Sequence, residues 1–106
     1  MTVDRIFEAL ASTVRREILA YLSAQELTAG DIAGRFDMSA PAVSRHLSVL
    51  EVAGLVSSER RGQYVYYQLN RDNLVNTLTG FALEVCPKGG PLKRESRRLR
   101  ATKKGA

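Results

Sequence analysis

Between residues 39 and 64 the chain collects hydroxyls, guanidiniums and small side chains in a pattern suited to a nucleic-acid groove. Ser39, Ser44, Arg45, His46 and Ser48 stand among Ala40, Pro41 and Ala42, so polar groups and one long cation sit beside groups small enough for close approach. A guanidinium such as that of Arg45 can pair with a guanine edge in bidentate fashion, worth about 1–3 kcal/mol of discrimination between bases. The serine hydroxyls suit phosphates or bases, and a helix N-terminus itself favours an anion. Further on, Arg60 and Arg61 are followed by Gln63 and Tyr64, a set suited to the neighbouring backbone or minor groove. An ordinary solvated helix face would be richer in Glu and Lys. These residue types point to sequence-specific contact with double-stranded DNA. The plainer alternative is a structural trio of helices with a solvated hairpin.

The elements that must hold these groups follow from hydrophobic spacing. Val43, Leu47 and Leu50 recur at i, i+4 and i+7, which draws one apolar stripe along a helix over residues 39–53. Ser39 is a suitable N-cap, Pro41 is tolerated in the first turn, and Gly54 is free to take the left-handed conformation that ends a helix. Upstream, Ile6, Phe7 and Leu10 mark a first helix over about 4–11. Ser12 or Thr13 caps a second, with Val14, Ile18, Leu19, Tyr21 and Leu22 inward and Arg15, Arg16 and Glu17 outward. Thr28 and Asp31 form a capping-box pattern for a third helix through Ile32, Ala33 and Phe36. Asp37 and Met38 then turn into the Ser39 helix, which completes a helix-turn-helix.

After Gly54 the period changes to two. Residues 55–59 read as a strand, 60–63 as a turn around Gly62, and 64–69 as the returning strand with Val65, Tyr67 and Leu69 on one face. Tyr64, Tyr66 and Tyr67 are expected to pack this hairpin on the core. Asn70 caps a last helix whose apolar set, Leu74, Val75, Leu78, Phe81, Ala82 and Val85, is wider than one small domain needs. The expected fold is α+β, a winged helix-turn-helix ordered helix-helix-helix-helix-strand-strand-helix. The run at residues 87–91, PKGGP, marks the end of a domain over 1–87. Residues 88–106 read as a basic tail, disordered or marginally helical, that suits either solubility or phosphate tracking.

Composition bounds the remaining choices. The chain has 106 residues and is 44% hydrophobic, which fits one modest core that a partner subunit would help to stabilise. Its net charge of +5 is uneven. From Lys88 onward eight basic residues face Glu95 alone, whereas residues 1–87 hold eight basic and ten acidic ones. Overall basicity therefore says little about what the body binds. No stretch approaches the ~18 apolar residues of a membrane helix. The first residues carry an acid where a signal peptide needs an apolar core, so a cytoplasmic protein away from membranes is expected. Cys86 is the single cysteine, which fits a reducing compartment. It reads as a buried small hydrophobe, with a redox role or a symmetric intersubunit disulfide as the minority alternatives, since no resolving thiol exists. One His and one Cys cannot supply the three or four ligands of a metal site. No nucleophile–base pair and no phosphate-binding glycine loop is present, so neither an enzyme nor a cofactor is expected.

The segments 27–69 and 7–22 closely resemble the DNA-binding core and the opening "ALADPTRRxIL" pattern of the ArsR/SmtB family of winged-helix repressors. Ser12 stands where that pattern usually has Asp, and Val14 follows Thr13. The resemblance covers roughly residues 4–86 and is nearest to the family's autorepressor branch. It implies a homodimer joined through the first and last helices by Ile6, Phe7, Leu10, Leu74, Leu78, Phe81, Ala82 and Val85. It also implies an inverted-repeat operator read by the Ser39 helix, with repression by occupancy. It places His46 on the recognition helix as a packing or phosphate-contacting group. Metal sensors of the family often carry Cys-Val-Cys where this chain has Thr28-Ala29-Gly30, or ligands on a last helix that here, over 72–86, holds no His. A repressor sensing a metal or thiol oxidant through Cys86 is the alternative that keeps DNA binding. A winged-helix protein-interaction module is the alternative that drops it, but it would want an acidic or apolar recognition face.

Overall fold

The computed structural model describes residues 3–86, so the boundary expected at Pro87 and the basic tail lie outside the described residues. The elements run α1 (Val3–Leu10), α2 (Thr13–Ala24), β1 (Leu27–Thr28), α3 (Ala29–Arg35), α4 (Ala40–Val52), β2 (Val56–Arg61), β3 (Tyr64–Leu69) and α5 (Arg71–Val85). Among the described residues no helix is long and apolar enough to cross a membrane.

Side-chain caps set the helix starts. Ser12 Oγ accepts the Arg15 N–H at 3.2 Å, and Ser39 Oγ accepts the Ala42 N–H at 3.3 Å. At α3 the capping box is reciprocal. Thr28 Oγ1 accepts the Asp31 N–H and Asp31 Oδ2 accepts the Thr28 N–H, both at 3.1 Å. Each bond satisfies a first-turn donor that has no partner within its own helix. The end of α4 is a Schellman turn: the Leu55 N–H reaches the Leu50 carbonyl and the Gly54 N–H reaches the Glu51 carbonyl, each at 2.9 Å. Gly54 takes φ of 77° there, the conformation that costs a residue with a Cβ most.

Helices α1 to α4 close over one core in which Ile6, Ile18, Ile32, Val43, Leu47, Leu50 and Leu55 are fully enclosed. Each such side chain contributes about 1.5–3 kcal/mol relative to leaving it in water. Ile6, expected among the dimer contacts, belongs to this core: its 0% exposure leaves nothing for a partner to cover. Tyr21, expected inward, is 39% exposed and instead stands edge-on to Phe36 with the Arg35 guanidinium over its ring.

The sheet has three antiparallel strands in the order β1-β3-β2. Pairing runs out to Arg61 and Tyr64, so Arg60 and Arg61 are strand residues and the turn is Gly62 and Gln63 alone. Gly62 has φ of 62°, and among the described residues none other than glycine has positive φ, which fits a type II′ turn. The third strand, β1, pairs Leu27 with Tyr67 and Thr28 with Tyr66. Its two residues are too few to show an alternating pattern. Tyr67 packs against the core as expected, whereas Tyr64 stands exposed at the wing tip.

Helix α5 has no buried residue. Leu74 and Leu78 rest on the core, while Val75, Phe81, Leu83 and Val85 remain exposed. Its first turn is tied to the end of α4: Asn73 Nδ2 donates to the Gly54 carbonyl at 2.8 Å, and the Asn70 N–H donates to the Leu55 carbonyl at 2.8 Å. Cys86, read as buried, is exposed, because α5 has left the core before reaching it.

Candidate nucleic-acid interface

Helix α4 is held on one side and open on the other. Val43, Leu47 and Leu50 anchor it, and it touches α1, α2, α3 and β2. On the open side Ser39, Ala40, Pro41, Ser44, Arg45 and Ser48 are exposed, with Ala42 and His46 half-buried at the margin. In the first turn Pro41 has no N–H and those of Ala42 and Val43 are taken by Ser39, so what this end offers is small side chains that let a phosphate or base edge approach closely. Among the described residues Arg45 enters no ion pair, so its guanidinium is available to an outside acceptor. Ser48 also borders a shallow cleft of about 220 Å³ formed with Arg5, Glu8, Val49, Val52 and Ala53.

His46 is not free in the same way. Arg15 Nη1 lies 3.3 Å from its Nδ1. Burial, then the nearby charges of Arg15 and Arg45, hold the imidazole below its ordinary pKa. Arg15 was expected on the outer side of α2; it is half-buried because its other nitrogens are bound to the last turn of α1.

The wing separates its two arginines. Arg61 is paired with Glu26 through both guanidinium nitrogens, with Nη2 to Oε2 at 2.9 Å, and Nη2 also reaches Glu59 Oε2 at 3.2 Å. Its guanidinium lies over the Tyr66 ring, 5.0 Å from the centroid. The hydrogen bonds from Arg61 pull the Glu26 carboxyl below its usual range, and the two carboxylates push Arg61 up. Arg60, by contrast, is exposed and enters no ion pair among the described residues. Across the ladder Arg60 pairs with Val65 and Arg61 with Tyr64, and Gln63 completes the turn. Ser58 Oγ donates to Glu51 Oε2 at 2.9 Å, which fixes the wing's first strand to α4. Reading along the chain missed Arg15 and Glu26, since their partners lie 31 and 35 residues away.

A second surface lies across α1 and α5. Phe7 and Phe81 stack edge-on with centroids 5.0 Å apart, yet they are 41% and 38% exposed. Ala82 and Val85 continue this exposed strip, while Leu10, Leu74 and Leu78 lie half-buried at its edge. Val75, absent from the expected interface set, is also exposed. Among the described residues no three His, Cys, Asp or Glu side chains come together as a metal site requires.

Residues 12–58 match the signature of bacterial regulatory proteins of the arsR family. The transcriptional repressor SdpR of Bacillus subtilis is 40% identical over 76 residues, which is 72% of this chain and 84% of that protein. The chain belongs to the ArsR family. As a member it is a DNA-binding transcriptional regulator, and the elements described above are the family's winged helix-turn-helix. An ArsR-like transcriptional regulator from Rhodococcus has the same fold, with a TM-score of 0.69 at 31% identity over 97% of this chain and 91% of that one. A homodimeric winged helix-turn-helix DNA-binding domain from Mycobacterium bovis, solved by NMR, gives 0.65 at 29% identity over 77% of each chain.

Proposed function

We propose that the protein is a cytoplasmic homodimeric repressor that occupies an inverted-repeat operator in double-stranded DNA, without a catalytic step, cofactor or resident metal. The open face of α4 carries this reading. It combines small first-turn side chains, three exposed serines and an uncommitted Arg45 on a helix locked by four neighbouring elements. The exposed strip across Phe7, Phe81, Ala82 and Val85 supports a dimer, as does the homodimeric domain from Mycobacterium bovis. SdpR, a repressor by name, supports the direction of control. Two copies of α4 would then enter successive major grooves one helical turn apart, about 34–36 Å.

Binding-site selection, with the upstream region of the protein's own gene in the pool, supplies the operator. Fluorescence anisotropy on that duplex and a scrambled one then compares variants. Arg45→Ala is expected to lose about 1–3 kcal/mol on the selected duplex and little on the scrambled one. Equal and negligible losses on both would reject the assignment.

A further inference from the structure

One group on the groove helix has its hydrogen-bonding state set from another helix. Arg15 Nε donates to the Ala9 carbonyl at 2.7 Å and Nη2 to the Glu8 carbonyl at 3.0 Å, so the side chain is fastened to the last turn of α1. The remaining arm, Nη1, lies 3.3 Å from His46 Nδ1. A guanidinium offers five N–H donors and no acceptor. The contact is therefore a hydrogen bond only when Nδ1 presents a lone pair, which puts the proton of the neutral ring on Nε2. An imidazolium would set N–H against N–H beside a fixed positive charge. The ring then has one donor left, on the edge away from Arg15.

We propose that Arg15 is a positioning residue for DNA binding: it fixes His46 as the Nε2–H tautomer, and this neutral donor meets a backbone phosphate oxygen of the duplex. The inference rests on the reading of α4 as the groove helix. A phosphate, rather than a base, is assigned because His46 is half-buried at the margin of the face that exposes Ser44, Arg45 and Ser48. The Arg15 guanidinium lies against the ring and Arg45 precedes it on the same helix, so the local charge favours an anion. Three of the five Arg15 donors go to the Ala9 and Glu8 carbonyls and to His46, which holds the guanidinium against α1 and places its effect on the ring.

Nitrogen NMR of the full chain reads the tautomer without ambiguity, because His46 is the only histidine. The expected result is a protonated Nε2 and an unprotonated Nδ1 in the free protein, with the two forms exchanging in Arg15→Ala. His46→Asn, which leaves nothing at the Nε2 position, is expected to weaken binding about tenfold on selected and scrambled duplexes alike. The dependence on salt should stay unchanged, since a neutral donor displaces no counterion. His46→Gln, whose amide nitrogen can occupy the Nε2 position, should recover most of that loss. Arg15→Ala should cost about tenfold alone and little more in the His46→Gln background.

An Nδ1–H tautomer, full affinity in His46→Asn, a loss confined to one sequence, or a salt slope reduced by about 0.9 would each overturn the proposal. So would an Arg15→Ala loss that His46→Gln leaves undiminished, which is the mark of a merely structural residue. If Arg15→Ala does not fold, the wild-type tautomer and the two His46 variants still decide. A chain that binds no duplex at all overturns the proposed repressor instead, and the tautomer result stands apart from that outcome.

Discussion

The imidazole of His46 links the protonation of one residue to the stability of the whole helix-turn-helix. Burial, then Arg15 and Arg45, holds it below its ordinary value of 6.5, so the folded chain prefers the neutral ring. As pH falls the unfolded chain takes up the proton first. Wherever the unfolded state binds more protons, stability falls with falling pH. The sign is therefore a loss that begins near 6.5 and grows as pH drops toward the folded-state value. Glu26 and Asp31, whose carboxyls are held below 4.5 and 3.8, act only in more acidic solution. Thermal unfolding followed by circular dichroism should show a midpoint that drops between about pH 7.5 and 5.5, and His46→Gln should flatten that drop. Parallel curves for the two proteins would contradict it. At this scale the sequence was informative wherever one helix decided the answer. Ser44, Arg45 and Ser48 fall opposite Val43, Leu47 and Leu50 by the helical repeat alone. The partner of His46 was not legible, because nothing local relates two positions 31 residues apart.

The wing shows what an element does to residues that look equivalent in a string. Arg60 and Arg61 are adjacent, but successive strand residues point to opposite faces of the sheet. One meets Glu26, Glu59 and the Tyr66 ring, and the other meets solvent. An exposed pair of this kind adds little to the stability of the fold. Its larger effect is on what the wing can offer to DNA, since two carboxylates offset the charge of Arg61. Arg60→Ala is accordingly expected to weaken binding to every duplex and to lower the salt slope by about 0.9. Arg61→Ala should do less on both counts, and Glu26→Gln should tighten binding on all sequences by releasing Arg61. Anisotropy titrations over a series of salt concentrations would check all three. A larger loss from Arg61→Ala than from Arg60→Ala would show that the carboxylates yield to phosphate. The hairpin itself was readable from its change of period and from Gly62. The strand β1 was not, because its two residues take their strand geometry from Tyr66 and Tyr67 across the ladder.

At the scale of the molecule, α5 is the element whose sequence exceeds its use within one chain. Its apolar stripe begins on the core at Leu74 and Leu78 and continues past it at Phe81 and Val85, the latter 63% exposed. That surplus was visible in the spacing, although which members face a partner depended on where α5 leaves the core. Ile6 moved from interface to core for the same reason, because α1 turns one side inward and leaves Phe7 against Phe81. Since Phe81 is not enclosed, a charge there should leave the monomer folded while making its burial against a second copy costly. Phe81→Asp is expected to elute as a monomer with an unchanged helical spectrum, by light scattering and circular dichroism. Leu47→Ala, inside the core, should instead lose about 2–5 kcal/mol of stability. Separating the two copies of α4 removes the second, intramolecular contact with the operator, so Phe81→Asp should also weaken operator binding about 10²–10⁴-fold. The scrambled duplex, with no paired half-sites to bridge, should lose far less. A dimer that survives Phe81→Asp with operator affinity intact would place the interface elsewhere than on α1 and α5.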